Sequence, residues 1–179
     1  MRIFLTLLIC FCSISGFSQD QLEQCTTPIY DEYFHLPHGL NGYFDFEQGL
    51  ACSKESNKPN LVCFVGHLSV NSRKMEAYVW SDPEILKLLR EKFIITALYT
   101  DDKSQLLQEK QIKSKINGKL LKRIGDKALY YQELKFKGNS QPAYFIMNSK
   151  EELLAEPYFY DLSIDSYKKF LEKGLKNFK

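Results

Sequence analysis

The stretch Leu61-Val62-Cys63-Phe64-Val65 limits what this chain can fold into more than any other. It is continuously apolar, lacks alternation and is far too short to span a membrane, so it describes a strand covered on both faces. Gly66 ends the run, and a helix-forming segment follows from about residue 70 to residue 80. A strand that delivers its loop to a helix start gathers unpaired backbone N–H groups and the positive end of the helix dipole at one point. The polar side chains available there include His67, Ser69 and Ser72.

The order of the other elements follows from local pattern. Asp82 and Pro83 suit the cap and first position of a helix carrying Ile85, Leu88 and Leu89. Phe93-Ile94-Ile95-Thr96-Ala97-Leu98-Tyr99 is rich in β-formers and reads as a second buried strand, joined to the first by a parallel crossover. Residues 101–121 are polar and Lys-rich with an Asn117-Gly118 turn, and read as an insertion of helix and loop. A helix over residues 126–136 is expected on the spacing of Leu129, Tyr130 and Leu134. Ala143-Tyr144-Phe145-Ile146-Met147 is the third strand, turning at Asn148-Ser149-Lys150 into Leu153-Leu154-Ala155 as its antiparallel partner. Ser163 caps a last helix with Ile164, Tyr167, Phe170, Leu171 and Leu175 on one face. The class is α/β, a central mixed β-sheet flanked by helices.

At 179 residues the chain is long enough for one domain with a full core. Lysine and arginine number 24 against 22 acids, and the two signs interleave, which argues against a nucleic-acid partner. Arg2 followed by an apolar run, with Gly16 and Ser18 placed for a cut before Gln19, predicts a secretory signal peptide over 1–18. No later stretch reaches membrane-spanning length, so the mature product reads as periplasmic or secreted. Cleavage leaves Cys25, Cys52 and Cys63. Three is odd, so at least one thiol stays unpaired within the chain. Cys63, inside the strand, reads as a small buried hydrophobe. Cys25 and Cys52 could pair, but the sequence does not set their distance. Residues 19–41 lack a period and read as an N-terminal arm ahead of a domain over 42–179. His35 and His38 lie there without further ligands, so no metal is expected, nor any cofactor.

Several segments resemble one family in chain order. Val70-Asn71-Ser72-Arg73-Lys74-Met75-Glu76 and Val79-Trp80-Ser81-Asp82-Pro83 are similar to the exported thioredoxin-like domain of the thiol:disulfide interchange (DsbD-type) family, which carries Cys-Val-Asn-Cys-Arg-Lys-Met-Glu there. Phe46-Glu47-Gln48-Gly49-Leu50-Ala51 with Asn57-Lys58-Pro59, Leu98-Tyr99-Thr100-Asp101-Asp102, and Asn139-Ser140-Gln141-Pro142 extend the resemblance over residues 43–178. It implies a thioredoxin-like fold with an insertion before a strand that opens on a cis-proline. It places Ser69 and Ser72 at the positions of the redox cysteines. It also implies a polypeptide-binding surface around His67, Leu68, Val70, Gln141 and Pro142, facing a partner polypeptide or a thiol-disulfide relay protein.

The departure from the family lies at its centre. Disulfide exchange needs a thiolate to attack and a second thiol to resolve the mixed disulfide. A helix N-terminus can bring a cysteine thiol toward neutral pKa, whereas a serine hydroxyl starts several units more basic and forms no exchangeable bond. Ser69 and Ser72 are therefore expected to cap the helix rather than react, and no acid partner for His67 is evident that would make a nucleophilic serine. Glu76 and Lys74 read as solvated helix residues. Three functions remain open on this reading. One is a redox-silent protein that binds a polypeptide; another is an oxidoreductase whose cysteines have been exchanged for serine; the third is a structural subunit docked through its arm.

Overall fold

In the computed structural model, which describes residues 25–179, the central strand is buried along its whole length. The signal peptide expected at 1–18 and the first part of the arm, 19–24, lie outside the described residues. The elements run α1 (Phe46–Ser56), β1 (Asn60–Val65), α2 (Val70–Lys74), α3 (Pro83–Lys92), β2 (Ile94–Tyr99), β3 (Ile112–Lys113), β4 (Leu120–Leu121), α4 (Ile124–Phe136), β5 (Ala143–Met147), β6 (Tyr158–Phe159) and α5 (Ile164–Asn177). Four strands form a mixed sheet in the order β2-β1-β5-β6. β1 pairs in parallel with β2, from Asn60–Ile94 to Val65–Tyr99, and antiparallel with β5. Beyond β2, Tyr43 adds a single parallel bridge to Thr96.

Side chains alternate across the sheet and so feed two cores. Leu61, Cys63 and Val65 face one core, closed by Met75, Trp80, Ile85 and Leu89 and by Tyr167 and Leu171 of α5. Val62 and Phe64 face the other, closed by Phe46 of α1 and by Ala128, Tyr130 and Tyr131 of α4. Helices on both faces explain why β1 reads as unbroken apolar sequence. The Trp80 indole N–H donates to the Tyr167 hydroxyl at 3.0 Å and ties the segment after α2 to α5 within the first core. α1 crosses the sheet at Gly49, where a Cβ would lie 1.9 Å from Thr96 Oγ1. That hydroxyl donates to Asn60 Oδ1 at 2.8 Å, so the close approach protects a buried hydrogen bond.

Several expectations change in three dimensions. The segment read as a loose arm is packed: Tyr30, Phe34, Leu36 and Leu40 are buried in the first core. Cys25 is bonded to Cys52 of α1, and Gln48 accepts from Ile29 N at 2.7 Å and donates to Thr27 O at 2.9 Å. The insertion holds a short 3-10 helix at Gln108–Lys110 followed by a β-hairpin, β3 against β4, and contains no α-helix. Its Ile112 and Leu121 rest on the second core, which holds the alternating pattern extended. The α4 face is rotated from the expected one. Leu129 and Leu134 are 42% and 41% exposed, whereas Lys127 is buried between Asp45 and Glu47, 3.0 Å from each. A buried ion pair lets a lysine take a core position that an apolar count assigns elsewhere. The partner of β5 is β6, while Leu153 makes one bridge, to Met147. Leu154 turns into the first core and Pro157 has no N–H to offer, so pairing resumes only after it. The helix after the serine loop ends at Lys74 and widens into a π turn, Met75–Val79. At the start of α5, Ile164 is exposed although Tyr167, Phe170 and Leu171 point inward. Among the described residues no helix is long and apolar enough to cross a membrane.

Candidate functional site

The loop that β1 delivers is held from the next strand. Just beyond β2, the Asp101 carboxylate accepts from His67 N at 2.8 Å and from Leu68 N at 2.9 Å. Partial burial pushes the Asp101 pKa up, but the Leu68 and His67 N–H donors outweigh it and hold the carboxyl below its ordinary value. The next residue supplies the partner that sequence reading did not find for His67: His67 Nε2 lies 3.0 Å from Asp102 Oδ2. The imidazole stacks on Tyr99, ring centroids 4.3 Å apart, and Phe34 stacks on both rings. His67 is thus fixed by aromatic faces and a carboxylate.

The two serines have different roles. Ser69 caps α2, its Oγ accepting from Ser72 N at 3.2 Å. Ser72 does not cap. It is fully buried inside the first helical turn, and its Oγ has no protein partner within hydrogen-bonding distance. Serine at position 69 matches a helix cap because its backbone is extended, whereas residue 72 is already helical. His67 is engaged with Asp102 and Ser69 with the Ser72 N–H, so among the described residues no base reaches a serine hydroxyl.

Behind the loop lies a buried set of weakly acidic groups. Glu76 is buried and pairs with Arg73 at 2.6 Å; burial pushes its carboxyl up, only partly countered by Arg73. This corrects its reading as a solvated residue. Cys63 is fully buried, its thiol pushed well up by burial and then by Glu76. The Tyr144 hydroxyl, buried without a partner, is likewise driven well above its usual value, first by burial. These groups stay neutral or paired at ordinary pH. Cys63 is the free cysteine of the described residues and has no access to solvent.

Gln141 and Pro142 lie at the same end of the sheet. β5 begins at Ala143, which pairs with Phe64, so the chain enters β5 beside the last residues of β1. The Gln141–Pro142 peptide is cis, and Pro142 is buried while Gln141 is half-buried. Gln132 of α4, itself buried, donates to Ser140 O at 2.8 Å and accepts from Gln141 Nε2 at 2.9 Å. Gln132 and Asp101 are therefore the residues that place the two halves of the site. Sequence reading missed the first because a buried glutamine on a helix carries no pattern. The second stands in the sequence only as one residue of the Leu98-Tyr99-Thr100-Asp101-Asp102 segment that resembles the family. Outward from this frame, Leu68 is 89% exposed and Val70 is exposed beside it. A concavity of about 760 Å³ lies instead along the segment from Cys25 to Phe44. It is remote from the serines in sequence and lacks their chemistry.

No protein-family model and no curated protein sequence matches the chain. Solved structures do. A DsbH oxidoreductase aligns with a TM-score of 0.56 at 14% identity, over 80% of this chain and 91% of its own. A thioredoxin from Thermus thermophilus aligns at 0.52 and 16% identity, over 74% and 85%. The oxidised C-terminal domain of DsbD from Neisseria meningitidis gives 0.47 at 17% identity, over 75% of this chain and 99% of that domain. At such identities the likeness concerns architecture. The mixed sheet and flanking helices described above, together with the first two of these structures, give the chain a thioredoxin-like fold.

Proposed function

We propose that this chain is an exported thioredoxin-fold protein, related to the thiol:disulfide interchange (DsbD-type) family, that holds an extended polypeptide without exchanging disulfides. The observation that carries the proposal is the chemistry at the helix mouth. Ser69 is spent as a helix cap, Ser72 is buried, and the free thiol of the described residues, Cys63, is sealed in the core. None of these can attack a disulfide and be resolved by a neighbour. The surface around them offers apolar contact: Leu68 and Val70 are exposed on a loop that Asp101 pins, at the same end of the sheet as a Gln141–Pro142 entry that Gln132 pins. A fixed loop with projecting apolar side chains suits an extended peptide, because little ordering remains to be done on binding. Export is supported by the apolar stretch after Arg2 and by the Cys25–Cys52 disulfide, a bond that persists in oxidising compartments such as the periplasm or outside the cell.

Two measurements test the reading together. In an insulin-reduction assay the unmodified chain is expected to be inert, and the Ser69→Cys, Ser72→Cys pair to gain turnover. Turnover by the unmodified chain overturns the redox-silent reading. Binding of cysteine-free extended peptides, followed by calorimetry, is expected to be lost in Leu68→Glu and Val70→Glu. Peptide binding that survives both changes removes this face as the site.

A further inference from the structure

The hairpin between β2 and α4 concentrates positive charge: residues 110–123 hold five lysines and one arginine and no Asp or Glu. Lys113, Lys115, Lys119, Lys122 and Arg123 are all exposed, and none is in a salt bridge among the described residues. Lys110 differs, being turned toward Asp45 at 3.5 Å. Pairing of Ile112 with Leu121 and of Lys113 with Leu120 sorts the two faces. The first pair packs on the second core, so alternation turns Lys113 and Leu120 outward.

Apolar side chains project among these cations: Ile116 at the tip is 46% exposed and Leu120 is 53% exposed. The tip is stiff. Buried Ser114 accepts through Oγ from Ile116 N at 3.2 Å and Asn117 N at 3.3 Å. Its carbonyl accepts from Gly118 N at 2.9 Å, and Gly118 takes the left-handed φ of 71° that closes the turn. The fold thus holds an isoleucine out into solvent inside a collar of lysines.

We propose that this hairpin docks the protein on an anionic lipid surface, with Ile116 and Leu120 entering the headgroup layer and the surrounding cations meeting lipid phosphates. Apolar residues embedded in a basic surface are the pattern that adds burial to attraction at such an interface. The hairpin has strands two residues long, too short an edge for a peptide to pair along. It has no aromatic residue on which a nucleic-acid base could stack.

Co-sedimentation of the full chain with vesicles tests this, comparing phosphatidylcholine alone with an equal mixture of phosphatidylcholine and phosphatidylglycerol. The readout is the ratio of binding to the two vesicle types, in which uncharged contributions from the rest of the chain cancel. The ratio is expected to favour the mixture, to fall with added salt, and to drop about tenfold or more in Lys113→Glu/Lys119→Glu/Lys122→Glu. The three positions are exposed, and an unchanged circular dichroism melt shows that the variant is folded. In Ile116→Trp the new indole is expected to shift its emission to the blue on mixed vesicles only, against a constant signal from buried Trp80. Equal binding to both vesicle types, a preference that survives charge reversal, or an unshifted emission from the Ile116→Trp variant overturns the proposal. So does binding to polyglutamate or to single-stranded DNA in place of the vesicles.

Discussion

Reducing the Cys25–Cys52 disulfide tests how the N-terminal segment is tied to the domain. The two residues are 27 apart in sequence, and the bond closes that length into a loop in the unfolded chain. On the loop-entropy model, opening it returns about 12 cal/mol/K to the denatured ensemble, or about 3.5 kcal/mol at room temperature. For a chain of this size the melting midpoint should fall by roughly 7–14 °C. Reduction with a phosphine is the cleanest perturbation because both sulfur atoms remain. Cys52 is almost wholly buried, so packing in α1 is left as it was. The segment has native contacts besides the bond: Gln48 holds Ile29 and Thr27, and Tyr30, Phe34, Leu36 and Leu40 pack in the core. The aromatic near-UV circular dichroism, apart from the disulfide's own band, is therefore expected to be unchanged while urea and thermal midpoints drop. A Cys25→Ser/Cys52→Ser variant should lose more than the reduced protein, because it buries a hydroxyl at position 52 at a cost of roughly 1–3 kcal/mol if unpaired. A reduced protein within about 1 kcal/mol of the oxidised one would refute the loop-closure argument. Loss of the near-UV signal at unchanged global stability would refute the claim that the segment is held by its own packing.

Three other outcomes follow from the site and its supports. Ser69→Ala should cost about 1 kcal/mol in urea denaturation through loss of the α2 cap, whereas Ser72→Ala should be neutral or stabilising because it removes a buried hydroxyl without a partner. Two equal losses would mean that Ser72 also bonds. Asp101 has a folded pKa below its unfolded value, so its grip on the loop is complete above the ordinary carboxylate range and is lost as pH falls below about 4. Amide signals of His67 and Leu68 should shift together in that window and should already be displaced at neutral pH in Asp101→Asn; titration of either amide alone would contradict a shared acceptor. Gly49→Ala should destabilise by about 1–3 kcal/mol, since its Cβ collides with the Thr96 hydroxyl that bonds Asn60. A combined Gly49→Ala/Thr96→Ala variant that recovers none of the loss would place the cause elsewhere.

The sequence by itself determined the parts of this protein whose physics is local or periodic. The unbroken apolar run of β1, the β-forming residues 93–99 and 143–147, the Asp82 cap with Pro83 and the Ser163 cap all stand where pattern and capping chemistry put them. The α/β order of elements was legible for the same reason, and its thioredoxin-like reading came from the resemblance to the family. Tertiary structure decided whatever depends on which distant groups meet. Lysine at 127 is inside only because Asp45 and Glu47, some eighty residues away, are there to neutralise it. Glu76 is buried because the π turn rotates it inward beside Arg73. His67 gains a carboxylate, and its loop an anchor, only when parallel pairing brings the end of β2 alongside the end of β1. Cys25 reaches Cys52 because the preceding segment has a core to pack against. Burial of a polar group is decided by its partner, and a partner far along the chain leaves no periodic trace in the sequence around it.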